Sequence, residues 1–216
     1  MSYEGKLNPA EAGLERSGTL AEANMLGAID AHNPLYQERA REWVSKNAGL
    51  LEKFRARRLS EREHNVLFNS AFHFIENLPE NRSNPDRALN PDYPLLKDLR
   101  SALAAGGLEL VGRAAKRVKA YSAVGSPVDF SLGVDGFLRI DGHDISQPPI
   151  YVTFDYTLNA GKDRTRADVL IKELPDPDEA EERYRAAVSQ AAHQVFLQYL
   201  NKKRQRERQR GISIGK

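Results

Sequence analysis

Asp129 and Asp155 are the residues whose type and setting point most directly to chemistry. Each falls inside a run, 127–134 and 150–159, in which apolar and polar residues alternate. That alternation predicts β-strands, and aspartate is disfavoured inside a strand. In the second run Ile150, Val152, Phe154, Tyr156 and Leu158 share one face. Tyr151, Thr153, Asp155, Thr157 and Asn159 share the other. Lys162 follows in the next turn, and Asp168 and Lys172 share one face of the strand after it. Two acids on neighbouring strands with an amine nearby form a set able to hold Mg²⁺ through oxygen and to position a water. A solvated polar strand face uses the same residue types and is the competing reading.

Other chemistries have less support. The chain has no cysteine, so disulfides, thiol nucleophiles, iron–sulfur clusters and cysteine-containing zinc sites are excluded. His64 and His73 lie nine residues apart on one predicted helix and make no HExxH pair. There is no GxSxG, and Gly106-Gly107 lacks the flanking pattern of a phosphate-binding loop. Asp141, His143 and Asp144 share a turn that could bind a cation, but a solvated loop is much the stronger reading, because motif matches this short are mostly accidental.

The elements that must position Asp129 and Asp155 are legible in outline. Residues 79–94 are dense in proline and asparagine and predict an irregular connector between a helical region, 1–78, and a mixed region, 95–201. Asn33-Pro34 caps a helix carrying Tyr36, Ala40, Trp43, Val44, Leu50, Leu51 and Phe54 at helical spacing. Trp43 lies on that stripe and is expected in the core. Ser60 with Glu63 is a capping box for a second helix, and Thr19 with Glu22 suggests a short one before both. A helical pattern covers 95–121, then strands are predicted at 127–134, 137–141, 150–159 and 167–174. Asp135-Gly136 and 159–161 read as turns, giving an antiparallel meander. Asp176-Pro177 with Glu179 opens a last helix with Tyr184, Val188, Ala191, Val195 and Tyr199 on its stripe. That helix and the one before the sheet are expected on the sheet's apolar face, a two-layer α+β domain.

The stretch 125–136, Gly-Ser-Pro-Val-Asp-Phe-Ser-Leu-Gly-Val-Asp-Gly, with 151–159, Tyr-Val-Thr-Phe-Asp-Tyr-Thr-Leu-Asn, resembles the core of the PD-(D/E)XK nuclease superfamily. The resemblance covers about residues 97–174. In that family a helix precedes a β-meander, an Asp begins the second core strand, and an acid-x-Lys tripeptide lies on the third. Asp129 matches the first acid and Asp155 the second. The resemblance implies Mg²⁺-dependent cleavage of nucleic-acid phosphodiesters, with Asp129 and Asp155 as metal ligands. Thr157 stands where the family has lysine, so Lys162 or Lys172 has to supply the amine. Only the turn 160–166 separates the third and fourth strands, where the family has a helix.

The 216 residues are 40% hydrophobic and 29% charged, a composition suited to a folded protein of one or two small domains. No apolar run approaches a membrane span, and no secretory signal is read at the start, so an intracellular, cytoplasmic place is expected. The net charge of +2 is unevenly spread. Residues 202–216 hold seven lysines and arginines against the single Glu207, so the rest of the chain nets −4. A basic tail with Lys202, Lys203, Arg204 and Arg206 fits a polyanion, as does the patch Arg55, Arg57, Arg58 and Arg62. Helix-end cations that favour the dipole explain the tail as well. The tail is expected to follow the last helix without joining the core. Nucleic acid is thus the expected partner, with an oligomer left open. A non-enzymatic interaction or assembly protein of a virus or mobile element is the alternative.

Overall fold

The structure, a computed structural model, describes residues 23, 25–78, 94–105, 118–142, 147–159, 161–172 and 174–214. The Thr19–Glu22 helix, the connector up to residue 93, Gly106-Gly107, and His143 with Asp144 lie outside the described residues. The element order is α1 (Pro34–Arg55), α2 (Glu61–Glu76), α3 (Pro94–Ala105), β1 (Val118–Ser122), α4 (Pro127–Leu132), β2 (Gly136–Ile140), β3 (Ile150–Thr157), β4 (Val169–Lys172) and α5 (Glu181–Ile214). The class is α+β, with the helical N-terminal part ahead of the strands. No helix among the described residues is long and apolar enough to cross a membrane.

Local chemistry sets the helix starts. The Asn33 side chain accepts from Leu35 N at 3.0 Å, and Pro34 takes the first helical position, where no donor is needed. Ser60 and Glu63 close the expected capping box in both directions.

The strands run in the order β1-β2-β3-β4. β1 to β3 form the expected antiparallel meander, with Tyr121 opposite Phe137 and Leu138 opposite Val152. β4 departs from it. It runs parallel to β3, with Phe154 opposite Val169. Because β4 begins beside Phe154, three residues short of the end of β3, the loop 158–168 has to return only about 10 Å at ~3.3 Å per residue. That short return needs no crossover helix.

Two further expectations are corrected. The run 127–134 is helix α4, not a strand. Val128 and Leu132 are four residues apart, a spacing that strand and helix periodicity share. The local signals decide: Ser126 accepts from Val128 N and Asp129 N, Pro127 follows, and Gly133 ends the helix at φ +67°. The predicted helix 95–121 ends at Ala105, and Val118–Ser122 is strand β1. Alternating burial of Val118 and Ala120 on one face, with Tyr121 on the other, ties this segment to β2.

The sheet is covered on both faces, so the domain has three layers and not two. On one side Leu95, Leu96, Leu99 and Leu103 of α3 and Tyr184, Val188, Ala191 and Val195 of α5 pack on Leu138, Val152, Phe154 and Ile171. These are the two helices expected there. On the other side α1 and α2 bury Trp43, Leu67, Phe72 and Ile75 with Val128, Leu132 and Phe137. Phe72 stacks on Tyr151 at 4.2 Å and lies 4.8 Å from Phe137, and Tyr121 stacks on Phe137 at 5.0 Å. Trp43 is buried, as expected, and donates to Ser70 Oγ at 3.0 Å.

The basic tail does not stand clear of the body. α5 runs unbroken to Ile214, and Lys202 and Arg206 continue the spacing of Val195 and Tyr199 at intervals of three and four. Lys202 Nζ reaches Asp168 Oδ2 at 2.6 Å and Tyr151 O at 2.9 Å. Arg206 donates to the carbonyls of Pro148 and Pro149 at 2.7 Å.

Gly136 is the tightest point of the sheet. A Cβ there would lie 2.4 Å from Phe154 Cζ and 2.8 Å from Tyr121 O. Gly136→Ala should lower stability by about 2–3 kcal/mol, because both neighbours are buried and one is backbone; chemical denaturation of the two proteins measures it.

Candidate active site

The chain brings Asp129, Asp155 and Lys162 together, although by a different route from the one expected. Asp155 lies mid-strand on β3, on the face opposite Phe154 and Tyr156, and is 5% exposed. Lys162 projects from the return loop 158–168, and its Nζ sits 2.8 Å from each oxygen of Asp155. Asp129 comes from the first turn of α4, not from a strand. One of its oxygens accepts from Gly125 N at 3.0 Å. Gly125 is left-handed, at φ +79°, which turns its N–H back over the helix start.

A third carboxylate, missed in the sequence, completes the group. Asp135 is 4% exposed and lies immediately before β2. Its Oδ2 accepts from Tyr156 N at 2.7 Å, and its own N–H donates to Phe154 O at 3.1 Å. It also hydrogen-bonds Asp129. Asp135 is therefore the acid at the start of the second strand, whereas Asp129, expected within a strand, lies on α4. Its signal was present in Asp135-Gly136, but that pair reads as a turn.

Burial pushes the Asp129 carboxyl up to about 6, and the nearby charge of Asp155 adds to the rise. The Gly125 N–H, the hydrogen bond with Asp135 and the charge of Lys162 oppose it. The donors are all hard oxygens, as Mg²⁺ requires. No group of three or more His, Cys, Asp or Glu side chains is placed to hold a metal ion among the described residues. A Mg²⁺ site needs only one or two carboxylates, with water and phosphate completing it. Asp129 and Asp155 are carboxylates of the kind such a site uses.

The site opens into a cleft of about 920 Å³, with Asp155 and Lys162 in its lining. Arg57, Arg164 and Arg166 also line it, together with Phe54, His64 and Phe130. Arg166 lies over the Phe54 ring at 4.8 Å. Arg57 ends α1 in a Schellman turn: its N–H bonds Phe54 O, and Arg58 N bonds Lys53 O. Its φ of +57° is the left-handed conformation that glycine usually supplies there. Burial lowers the affinity of His64 for its proton, and its ring stacks on Phe68 at 4.2 Å. His73 is exposed on α2.

The remaining expected residues lie elsewhere. Lys172 pairs with Asp163 at 2.8 Å, so of the two candidate amines Lys162 is the one on Asp155. Asp168 accepts from Thr153 N and Oγ1 and from Lys202, a structural knot. Asp141 pairs with Arg139 at 2.8 Å. Of the arginine patch, Arg57 reaches the cleft lining, whereas Arg55, Arg58 and Arg62 do not line it. Lys203 and Arg204 are exposed on α5. No protein-family model, curated protein or solved structure matches the chain.

The raised Asp129 has a signature in stability. Between pH ~4 and ~6 the folded chain holds a proton on Asp129 that the unfolded chain has lost, so this group's contribution falls as pH rises through that window. Asp129→Asn removes that loss. It should be more stable than the parent by about 2 kcal/mol at pH 8, with the difference fading toward pH 4, as thermal unfolding across pH measures.

Proposed function

We propose that this chain binds nucleic acid and hydrolyses its phosphodiester bonds with Mg²⁺. The observation that carries this reading is a buried carboxylate, Asp155, with an amine on it, in the wall of a cleft that also carries three arginines, alongside a second acid, Asp163, that pairs with Lys172. Arg57, Arg164 and Arg166 suit backbone phosphates, which guanidinium groups bind through paired donors. Asp129 and Asp155 would hold the metal, with Asp135 orienting Asp129 through their hydrogen bond. Mg²⁺, when bound, supplies Lewis-acid polarisation of a phosphate oxygen and a more acidic water. Lys162 is about one-third exposed and can turn from Asp155 to a phosphate oxygen, where it stabilises developing negative charge. The exposed Lys203 and Arg204 extend the basic surface, while Lys202 and Arg206 are committed to the body.

One observation favours the alternative, a non-enzymatic binding or assembly protein. Lys162 contacts both oxygens of Asp155, so the acid is satisfied without a metal. The two readings separate on Asp155→Asn. As an enzyme, the parent cleaves labelled DNA or RNA with Mg²⁺ and not with EDTA. The variant then loses cleavage while stability moves by under ~1 kcal/mol, since the partly exposed Lys162 can turn to water. As a structural pair, the parent cleaves nothing and the variant loses about 1–3 kcal/mol. Absence of Mg²⁺-dependent cleavage on single- and double-stranded DNA and RNA overturns the enzymatic reading.

Arg57 offers an independent check of the cleft. Arg57→Gly relieves the left-handed backbone and should raise stability by about 1 kcal/mol. It should weaken nucleic-acid binding and flatten its salt dependence by roughly one phosphate contact. Unchanged binding in a salt titration would exclude Arg57 from the interface.

A further inference from the structure

Phe130 is an aromatic residue of α4 that does not belong to the core cluster. On α4, Val128 and Leu132 face the core, and Asp129 turns to Gly125 and Asp135. Phe130 projects outward with 49% of its surface exposed. Among the described residues it is the one aromatic ring among the exposed large hydrophobics. It adjoins Asp129 in the chain and lines the same cleft as Asp155, Lys162, Arg57, Arg164 and Arg166. No ion pair occupies Arg57 or Arg164 among the described residues.

An exposed ring beside free guanidinium groups is the combination that single-stranded nucleic acid recognises: cations follow the backbone while the ring stacks on a base. In a duplex the base faces are covered by their neighbours, so the ring can stack only on an unpaired or extruded base. We infer that Phe130 is a stacking platform for an unpaired base, and that the cleft therefore selects single-stranded or locally opened nucleic acid. This inference rests on the nucleic-acid reading of the cleft and specifies its substrate class. The charge of the rim favours a polyanion over an apolar protein segment. Phe130 also borders a shallow groove with Tyr36, Ala40 and Val44, where a protein partner is the competing occupant.

The test is a binding titration by fluorescence anisotropy in EDTA, where no metal-dependent cleavage occurs. The full chain is titrated against a labelled 12-nucleotide oligo-dT and a labelled 12-base-pair duplex. The parent should bind the single strand more tightly. Phe130→Ala should weaken oligo-dT binding about tenfold, and Phe130→Trp should keep it. Duplex binding should be the same in all three proteins. Far-ultraviolet circular dichroism checks that the exposed substitution leaves the fold intact. Equal oligo-dT affinity for parent and Phe130→Ala overturns the inference, as does an equal loss on duplex, or a parent that prefers duplex. A Mg²⁺ cleavage assay on the same proteins keeps the two readings apart. Cleavage by the parent with oligo-dT binding unaffected by Phe130→Ala rejects the platform and leaves the nuclease reading standing. Binding that depends on Phe130 without any cleavage supports the platform and rejects the hydrolytic step. A parent that binds neither strand form rejects both, and points the ring toward the groove beside it.

Discussion

Three carboxylates held at one end of a sheet have to be kept from repelling one another, and much of this structure answers to that requirement. Asp135 is tied by Tyr156 N, Asp129 by Gly125 N, and Asp155 by Lys162. Each tie comes from a different part of the chain. The first needs Asp135 to run along β3, the second needs a left-handed Gly125 ahead of a short helix, and the third needs the loop 158–168 to fold back over the sheet. The hydrogen bond between Asp129 and Asp135 links two of the three directly. The ties hold oxygen atoms at a cleft wall, and they do so without filling the cleft.

The sheet serves two purposes because its faces differ. One face is a continuous apolar layer under α3 and α5. The other is apolar only where Phe72, Phe137, Tyr121 and Tyr151 stack beneath α2, and polar beyond, at Thr153, Asp155 and Thr157. The helices α1 and α2 cover the aromatic part and leave the polar part to the return loop. The cleft is the gap between those two coverings. Lys202 and Arg206 hold the far end of α5 against the body at Asp168 and the carbonyls of Pro148 and Pro149. Their long aliphatic stems continue the stripe of Val195 and Tyr199, so charge and docking coexist on one helix face.

Much of the fold was legible locally. The caps at Asn33-Pro34 and Ser60/Glu63, the stripe of α5 and the alternation in β3 each determine a short stretch by themselves. Two misreadings have one cause each. The stretch 127–134 carries Val128 and Leu132 at a spacing common to both periodicities, and the cap residues Ser126 and Gly133 decide for helix. The tail looked solvated because charge was counted without its position on the helix. Of the site, Asp129 and Asp155 stood out as aspartates within strand-like alternation, and Lys162 as an amine in the turn that follows. Asp135 did not, because a buried acid beside glycine has the same letters as an exposed turn.

The sequence by itself determined the class of the protein, the places where helices start, and which residues of β3 share a face, because capping and periodicity are properties of neighbouring residues. Only the tertiary structure decided that β4 returns parallel, that α1 and α2 cover the second face, that Lys162 reaches Asp155, and that Asp129 bonds Asp135 within range of their charges. Those outcomes depend on contacts between residues far apart in the chain. The return of the loop is set by where β4 pairs with β3, and the meeting of the carboxylates is set by the turn at Gly125. Neither is encoded in the residues adjoining the acids themselves.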